Sequence, residues 1–459
     1  MDGEKPTVFM RNLHATPKKI VKGEGCYLWD DSGKQYLDAA SGVAVASIGH
    51  GVKEVAEAMM KQAMTVNFVH GGRVTVGIRD ELAGRLIALT PEGMDHVFFC
   101  CGGSEATESA LKMARQYHVE RGNLGKYKVV ARWRSYHGNT VGALAMSGRP
   151  SWRNLYAPYI LDFPHIVPAT CYRCPFDREY PECEVKCAWD LERVIKHEGE
   201  ENISAFIAEP IIGTTATACA PPKEYYSIIR DICDKYDVLM IMDEVITGIG
   251  RTGKNFGIDH YDVTPDIIAA AKGMSGGYAP IGAVIAHNDV FDTFYNGSGL
   301  FHHSFTFSGN PISCAAGNAV LKYISDHGLI ERSAVIGAKL LDALKERFQD
   351  HPAVGDIRGT GLLLGMEFVK DKATKEPYPA DVKFSDKLAA NAFDKGLLVV
   401  GGVRGTVDSI VGDHIQITPP YVLTEAQIEE LVDKLDMALQ ETMNELETGM
   451  TGGNYGGGK

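Results

Sequence analysis

Two side chains in this 459-residue sequence stand where a carbonyl compound could be captured and activated. Lys272 closes the apolar run DIIAAAK (266–272) and is followed by Gly273, Gly276 and Gly277. An ammonium is costly in such surroundings, so its pKa should fall. The neutral amine is the form that adds to an aldehyde or ketone to make a Schiff base. A lysine snorkelling to the surface is the plainer alternative. Asp243 ends the apolar run VLMIMDEV (238–245). A buried carboxylate needs a cation or a strong donor beside it, and a protonated ring nitrogen is one such partner. A strand-end Asp bonded to loop amides is equally consistent with this stretch alone.

Two further stretches suit an anion. CCGGSEATESALKMAR (100–115) turns through Gly102 and Gly103 into a helix opening at Ser104. The free amides of a helix start favour a phosphate, and the glycines let backbone approach it closely. An ordinary capped helix reads the same way. HHSFTFSGNPISCAAG (302–317) places Thr306 in a polar loop before a helix opening at Asn310–Pro311. One apparent signal is discounted. GIGRTG (248–253) has the form G-x-G-x-x-G, but KNFGIDHYDVTPD follows it without helical period, so it does not make a dinucleotide site.

These residues need elements to hold them. The runs 96–101, 126–132, 203–210, 238–245, 266–272 and 280–287 are short and apolar. Helical patterns occupy 104–119, 224–236 and 311–323. Buried runs alternating with helices predict an α/β fold with a mostly parallel central sheet and crossover helices. Ligands collect at the carboxyl ends of such strands. The 29 residues from Asp243 to Lys272 span about one strand–crossover–strand unit, which puts both at the same end of neighbouring or near-neighbouring strands. The flanks differ, with long amphipathic helices such as 425–446. We expect residues 61–320 to form a large α/β domain. Residues 1–60 and 321–459 should form a smaller α+β domain together, ending in the flexible Gly-rich tail TGMTGGNYGGGK.

Composition sets outer bounds. Hydrophobic residues make up 45% and charged residues 23%, which argues against a disordered or fibrous chain. The net charge of −13 makes a general nucleic-acid or anionic-membrane binder a poor reading. No apolar run reaches the roughly 20 residues a membrane span needs. The opening stretch lacks a secretory pattern, and a cytoplasmic location is the expectation.

Seven stretches in order resemble the class III, or ω-amino acid, aminotransferases among the fold-type I pyridoxal-phosphate enzymes. They are EGCYLWDDSGKQYLD (24–38), CGGSEATESA (101–110), YHG (136–138), AEPIIG (208–213), DEVITGIGRTG (243–253), AAKGMSGGYAPIGA (270–283) and FTFSGNP (305–311). The resemblance runs from about residue 20 to about residue 440. It implies pyridoxal 5′-phosphate as cofactor. Lys272 would bind it covalently and shuttle a proton, and Asp243 would pair with its ring nitrogen. Val245 and Tyr136 would pack on its two faces, with His137 beside Tyr136. Gly103 and Ser104 would hold its phosphate. Thr306 would reach the phosphate in a neighbouring subunit, which implies a homodimer or homotetramer. Glu209 would lie at the mouth of the site, or else be a strand-end acid on solvent. The implied reaction moves an amino group from an ω-amine donor, such as taurine or β-alanine, to a 2-oxo acid, most simply pyruvate, by a ping-pong mechanism. An aminomutase, racemase or decarboxylase would use the same motifs.

Two positions bear on the substrate. Ile246 follows DEV, where relatives acting on 4-aminobutyrate or ornithine often carry Gln, so it is more similar to the pyruvate-dependent branch. Arg404, ahead of GDHI (412–415), is the candidate for a substrate carboxylate or sulfonate, or else a plain surface arginine. Arg358 falls in a stretch read as structural. CYRCPFD (171–177) leans towards the taurine–pyruvate branch. It belongs to an insertion, 168–190, holding Cys171, Cys174, Cys183 and Cys187 as C-x2-C-x8-C-x3-C. That spacing is open to a structural zinc, to reduced thiols or to a local disulfide, with His165 as a possible extra ligand. The chemistry itself calls for no metal.

Overall fold

The computed structural model describes residues 7–407 and 410–449, with the side chains of 402–404 also outside the described set. The strands in chain order are β1 (Ile20–Glu24), β2 (Tyr27–Asp30), β3 (Gln35–Asp38), β4 (His96–Cys100), β5 (Lys128–Arg132), β6 (His165–Ile166), β7 (Ile203–Ala208), β8 (Leu239–Asp243), β9 (Ile267–Ala270), β10 (Gly282–Ala286), β11 (Val354–Thr360), β12 (Leu363–Phe368), β13 (Leu397–Leu398), β14 (Val400–Val407) and β15 (Val411–Ile417). Seven of them form the central sheet, in the order β4-β10-β9-β8-β7-β5-β6. Pairing is parallel from β9 through β8, β7 and β5 to β6.

Why these runs become strands is visible in their two faces. Along β8, Met240 and Met242 pack into one apolar cluster, while Leu239 and Ile241 pack into the other. Along β7, Phe206 and Ala208 oppose Ala205 and Ile207 in the same way. A strand covered on both faces must be apolar at every position, which is how the runs read in the sequence.

β10 departs from expectation. It pairs antiparallel with both β4 and β9. Only residues 271–281 connect β9 to β10, too few for a crossover helix, so the chain folds back. The β8–β9 crossover also lacks an α-helix and carries only the short 3-10 turn Gly257–His260. β6 has two residues and left no readable pattern in the sequence.

The terminal regions interlock. β13 pairs parallel with β3, so the sheet β1-β2-β3-β13 draws on both ends of the chain. A third sheet runs β11-β12-β15-β14. The long helix Glu425–Thr448 opens with a capping box between Thr424 and Gln427. The Gly-rich tail lies outside the described residues. Among the described residues no helix is long and apolar enough to cross a membrane.

Candidate active site

A cavity of about 430 Å³ opens at the carboxyl ends of β5, β7, β8 and β9. Gly103, Ser104, Tyr136, His137, Glu209, Asp243, Val245 and Lys272 all line it. Stretches up to about 170 residues apart in sequence thus meet in one volume, as neighbouring parallel strands require.

Lys272 lies two residues beyond β9 and sits at φ +39°, a conformation L-residues rarely adopt. Strain of this kind persists only where the surroundings hold it. The return turn past it uses Gly276 and Gly277 at φ +57° and +85°, which explains the two glycines. Burial pushes the Lys272 amine down to about 8, opposed by the nearby charges of Asp243 and Glu209. Its surroundings therefore keep a large share of the amine neutral near pH 8.

Asp243 ends β8 and is buried. Its Oδ2 accepts a 2.7 Å hydrogen bond from His137 Nδ1, and its Oδ1 accepts from the Val245 amide at 3.1 Å. The His137 Nε2 is buried with no partner among the described residues, so donation by the opposite nitrogen fixes the ring. His137 is itself held from behind: Ser147 Oγ accepts from its amide at 2.8 Å, and its carbonyl accepts from Thr107 Oγ1 at 2.6 Å.

Thr107 belongs to the helix Gly103–Glu120, whose first turn faces the cavity. The ladder starts with Ala106 N–H on the Gly102 carbonyl at 2.9 Å, so the Ser104 and Glu105 amides before it have no carbonyl partner within the helix. Ser104 Oγ accepts from the Asn139 amide at 3.1 Å, tying the helix start to the loop after Tyr136. A Cβ on Gly103 would lie 2.8 Å from Val245 Cγ1. Glycine is required there by close approach.

Glu209 is not the solvent-facing acid that one reading allowed. It is buried, with Oε1 accepting from the Tyr136 amide at 3.1 Å and Oε2 from the Gly213 amide at 2.8 Å. Burial raises its pKa. Its carbonyl accepts from the buried Arg132 guanidinium and, at 2.7 Å, from Tyr226 Oη.

Thr306 lies outside the cavity, on an exposed turn. The Arg404 backbone sits in β14 opposite Asp413, and its side chain is outside the described set. Ile246 lines the cavity. Sequence reading missed Val45, Ser275 and Tyr278, which line it too. Val45 follows Ser41, Val43 and Ala44, all at positive φ, a backbone property no residue type announced.

GIGRTG is structural. Arg251 is buried, and its Nη1 donates to the carbonyls of Leu362 at 3.0 Å and Pro419 at 2.6 Å. Arg358 likewise pairs with Asp356 and Glu367 and donates to the carbonyls of Thr217 and Ala216. Cys171, Cys174, Cys183 and Cys187 are free thiols around one small cavity. Among the described residues no group of three or more His, Cys, Asp or Glu is arranged to hold a metal ion. His165 is stacked on Trp133 and bonded to the Phe163 carbonyl.

The family profile named aminotransferase class-III matches residues 8–439. The chain is a class III aminotransferase. It is 38% identical over 414 residues to the Bacillus subtilis protein called uncharacterized aminotransferase YodT, covering 90% of this chain and 93% of that one. It is 37% identical over 452 residues to the tomato protein called gamma aminobutyrate transaminase 3, chloroplastic, covering 96% and 84%. Among solved structures it matches a thermostable (S)-enantioselective omega-transaminase from Thermomicrobium roseum, with a TM-score of 0.89 and 36% identity over 95% of this chain and 96% of that one.

This aminotransferase uses pyridoxal 5′-phosphate. The cavity is chemically suited to it. It offers a neutralisable amine, a buried carboxylate for a ring nitrogen, an aromatic and a branched aliphatic side chain, and a helix start for a phosphate.

Proposed function

We propose that this aminotransferase moves an amino group from an ω-amino acid or ω-amine to a 2-oxo acid, pyruvate above all, by a ping-pong sequence. The observation carrying the reading is the meeting of Lys272, Asp243, Tyr136, Val245 and Ser104 on one cavity. When bound, the cofactor supplies an electron-withdrawing ring that stabilises negative charge on the carbon bearing the substrate nitrogen.

The residues would divide the remaining work. Lys272 Nζ would hold the cofactor and, as a neutral amine, would take the proton from the donor carbon as general base. Its lowered pKa makes the neutral amine available for both tasks. Asp243 holds a proton on the ring nitrogen, and His137 fixes the carboxylate that does so. Tyr136 and Val245 pack against the two ring faces. Gly103 and Ser104 hold the phosphate with helix-start amides. Glu209, bonded through both oxygens, braces the Tyr136 amide at the mouth. Thr306, exposed and away from this subunit's cavity, fits contact with a second subunit's phosphate, so the active unit is at least a homodimer.

For the donor, Ile246 supports the pyruvate-dependent branch. Likeness to proteins named gamma aminobutyrate transaminases adds 4-aminobutyrate to taurine and β-alanine. The test is a panel of those three donors with pyruvate or 2-oxoglutarate and purified holoenzyme. Alanine formed in proportion to donor consumed supports the reading. Turnover without a 2-oxo acid would favour an aminomutase, racemase or decarboxylase.

A further inference from the structure

Two guanidinium groups share one indole beside the cavity. Arg149 Cζ lies 4.1 Å from the Trp152 ring centroid, and Arg11 Cζ lies 4.9 Å from it. Trp152 meets the Tyr136 ring edge-on at 5.7 Å between centroids, and Tyr136 lines the cavity. Arg149 thus stands beside the cavity, next to the Tyr136 part of its lining.

The arrangement is costly as it stands. Burial lowers the Arg149 pKa, Arg11 lowers it further, and only Tyr136 acts the other way. Among the described residues, neither guanidinium makes a side-chain hydrogen bond or pairs with a carboxylate. Other arginines of this acidic chain are paired: Arg121 with Asp237, Arg230 with Asp266, Arg347 with Asp433 and Asp436. Stacking on Trp152 satisfies the flat face of Arg149. It leaves the N–H edge, whose geometry matches a carboxylate or sulfonate, unused.

We propose that Arg149, seated on Trp152 and assisted by Arg11, binds the distal acid group of an ω-amino acid substrate. The inference rests on the functional reading above and names the specificity residue for it. It assigns to a rigidly stacked side chain the task that sequence reading gave to Arg404.

The test compares acidic with neutral donors in single-turnover half-reactions of the holoenzyme. Taurine and 4-aminobutyrate are set against n-butylamine and 2-phenylethylamine. Arg149→Met keeps much of the stem but removes the charge. It should lower the acidic-to-neutral ratio of specificity constants about tenfold to a hundredfold, the size of one lost charge-assisted contact. Arg149→Lys should recover part of the ratio, and Arg11→Met should lower it less. An equal fall for both donor classes would overturn the proposal, as would a fall that tracks loss of the oligomer in size-exclusion chromatography. A wild-type enzyme that transaminates no donor would instead overturn the functional reading, and the proposal with it.

Discussion

At the carboxyl ends of β7, β8 and β9, the reactive side chains are held by named partners. Asp243 is fixed through both oxygens, Glu209 through both of its own, and His137 through its ring, amide and carbonyl. The loop carrying Cys171, Cys174, Cys183 and Cys187 also gathers four reactive groups around one small volume. There, among the described residues, the thiols form no group arranged to hold a metal ion. Burial pushes Cys171 up to about 11 and Cys187 up to about 12, which disfavours the thiolate that binds metal or attacks a disulfide. Proximity alone is common to both regions. Placement by a hydrogen-bonded sheet, with burial lowering the Lys272 amine, belongs to one of them.

That contrast can be broken most sharply at Lys272. Lys272→Ala should remove the visible absorbance of the cofactor linkage and reduce transamination by roughly 10⁴-fold or more, since the proposed anchor and general base would be lost together. Retained turnover would erase the distinction between the two regions. Asp243→Asn should keep cofactor binding while lowering kcat by about 10²–10³-fold, the usual scale for one preorganised electrostatic partner. A near-normal rate would show that the 2.7 Å contact with His137 serves packing alone.

A smaller effect concerns pH. The proposed covalent capture of the cofactor aldehyde would need neutral Lys272, whose pKa is pushed down to about 8. The reconstitution rate of apoenzyme should rise with pH, reach its midpoint near 8 and then level off. An ordinary lysine would keep rising towards about 10.4. The smallest effect is expected in the loop. Single Cys→Ser changes at 171, 174, 183 and 187, or prolonged chelator treatment, should leave kcat/KM within about twofold. Stoichiometric zinc, with unfolding on its removal, would make the loop a structural metal site and end the comparison.

Much of the site was legible because each residue there occupies a position that topology fixes. Asp243 ends β8 and Lys272 lies two residues past the end of the adjacent parallel strand β9, so knowing the strands placed the side chains. The bond from His137 to Asp243 was not legible, since nothing in YHG states which way an imidazole turns. Val45 was missed because it depends on a left-handed turn over Ser41–Ala44, where only Gly42 advertises such geometry. The antiparallel course of β10 was missed because a buried run looks the same in either direction. The cysteine spacing could be read in three ways because a loop, unlike a strand end, does not convert spacing into geometry. Arg149 carried no motif at all. It emerges only from what surrounds it in space.

The central claim is that Lys272 is the amine that captures the cofactor. Borohydride reduction of the holoenzyme, followed by peptide mapping, tests it directly. One phosphopyridoxyl group per subunit, on Lys272, is the expected result. Label on another lysine, or none after full loading with cofactor, would contradict it.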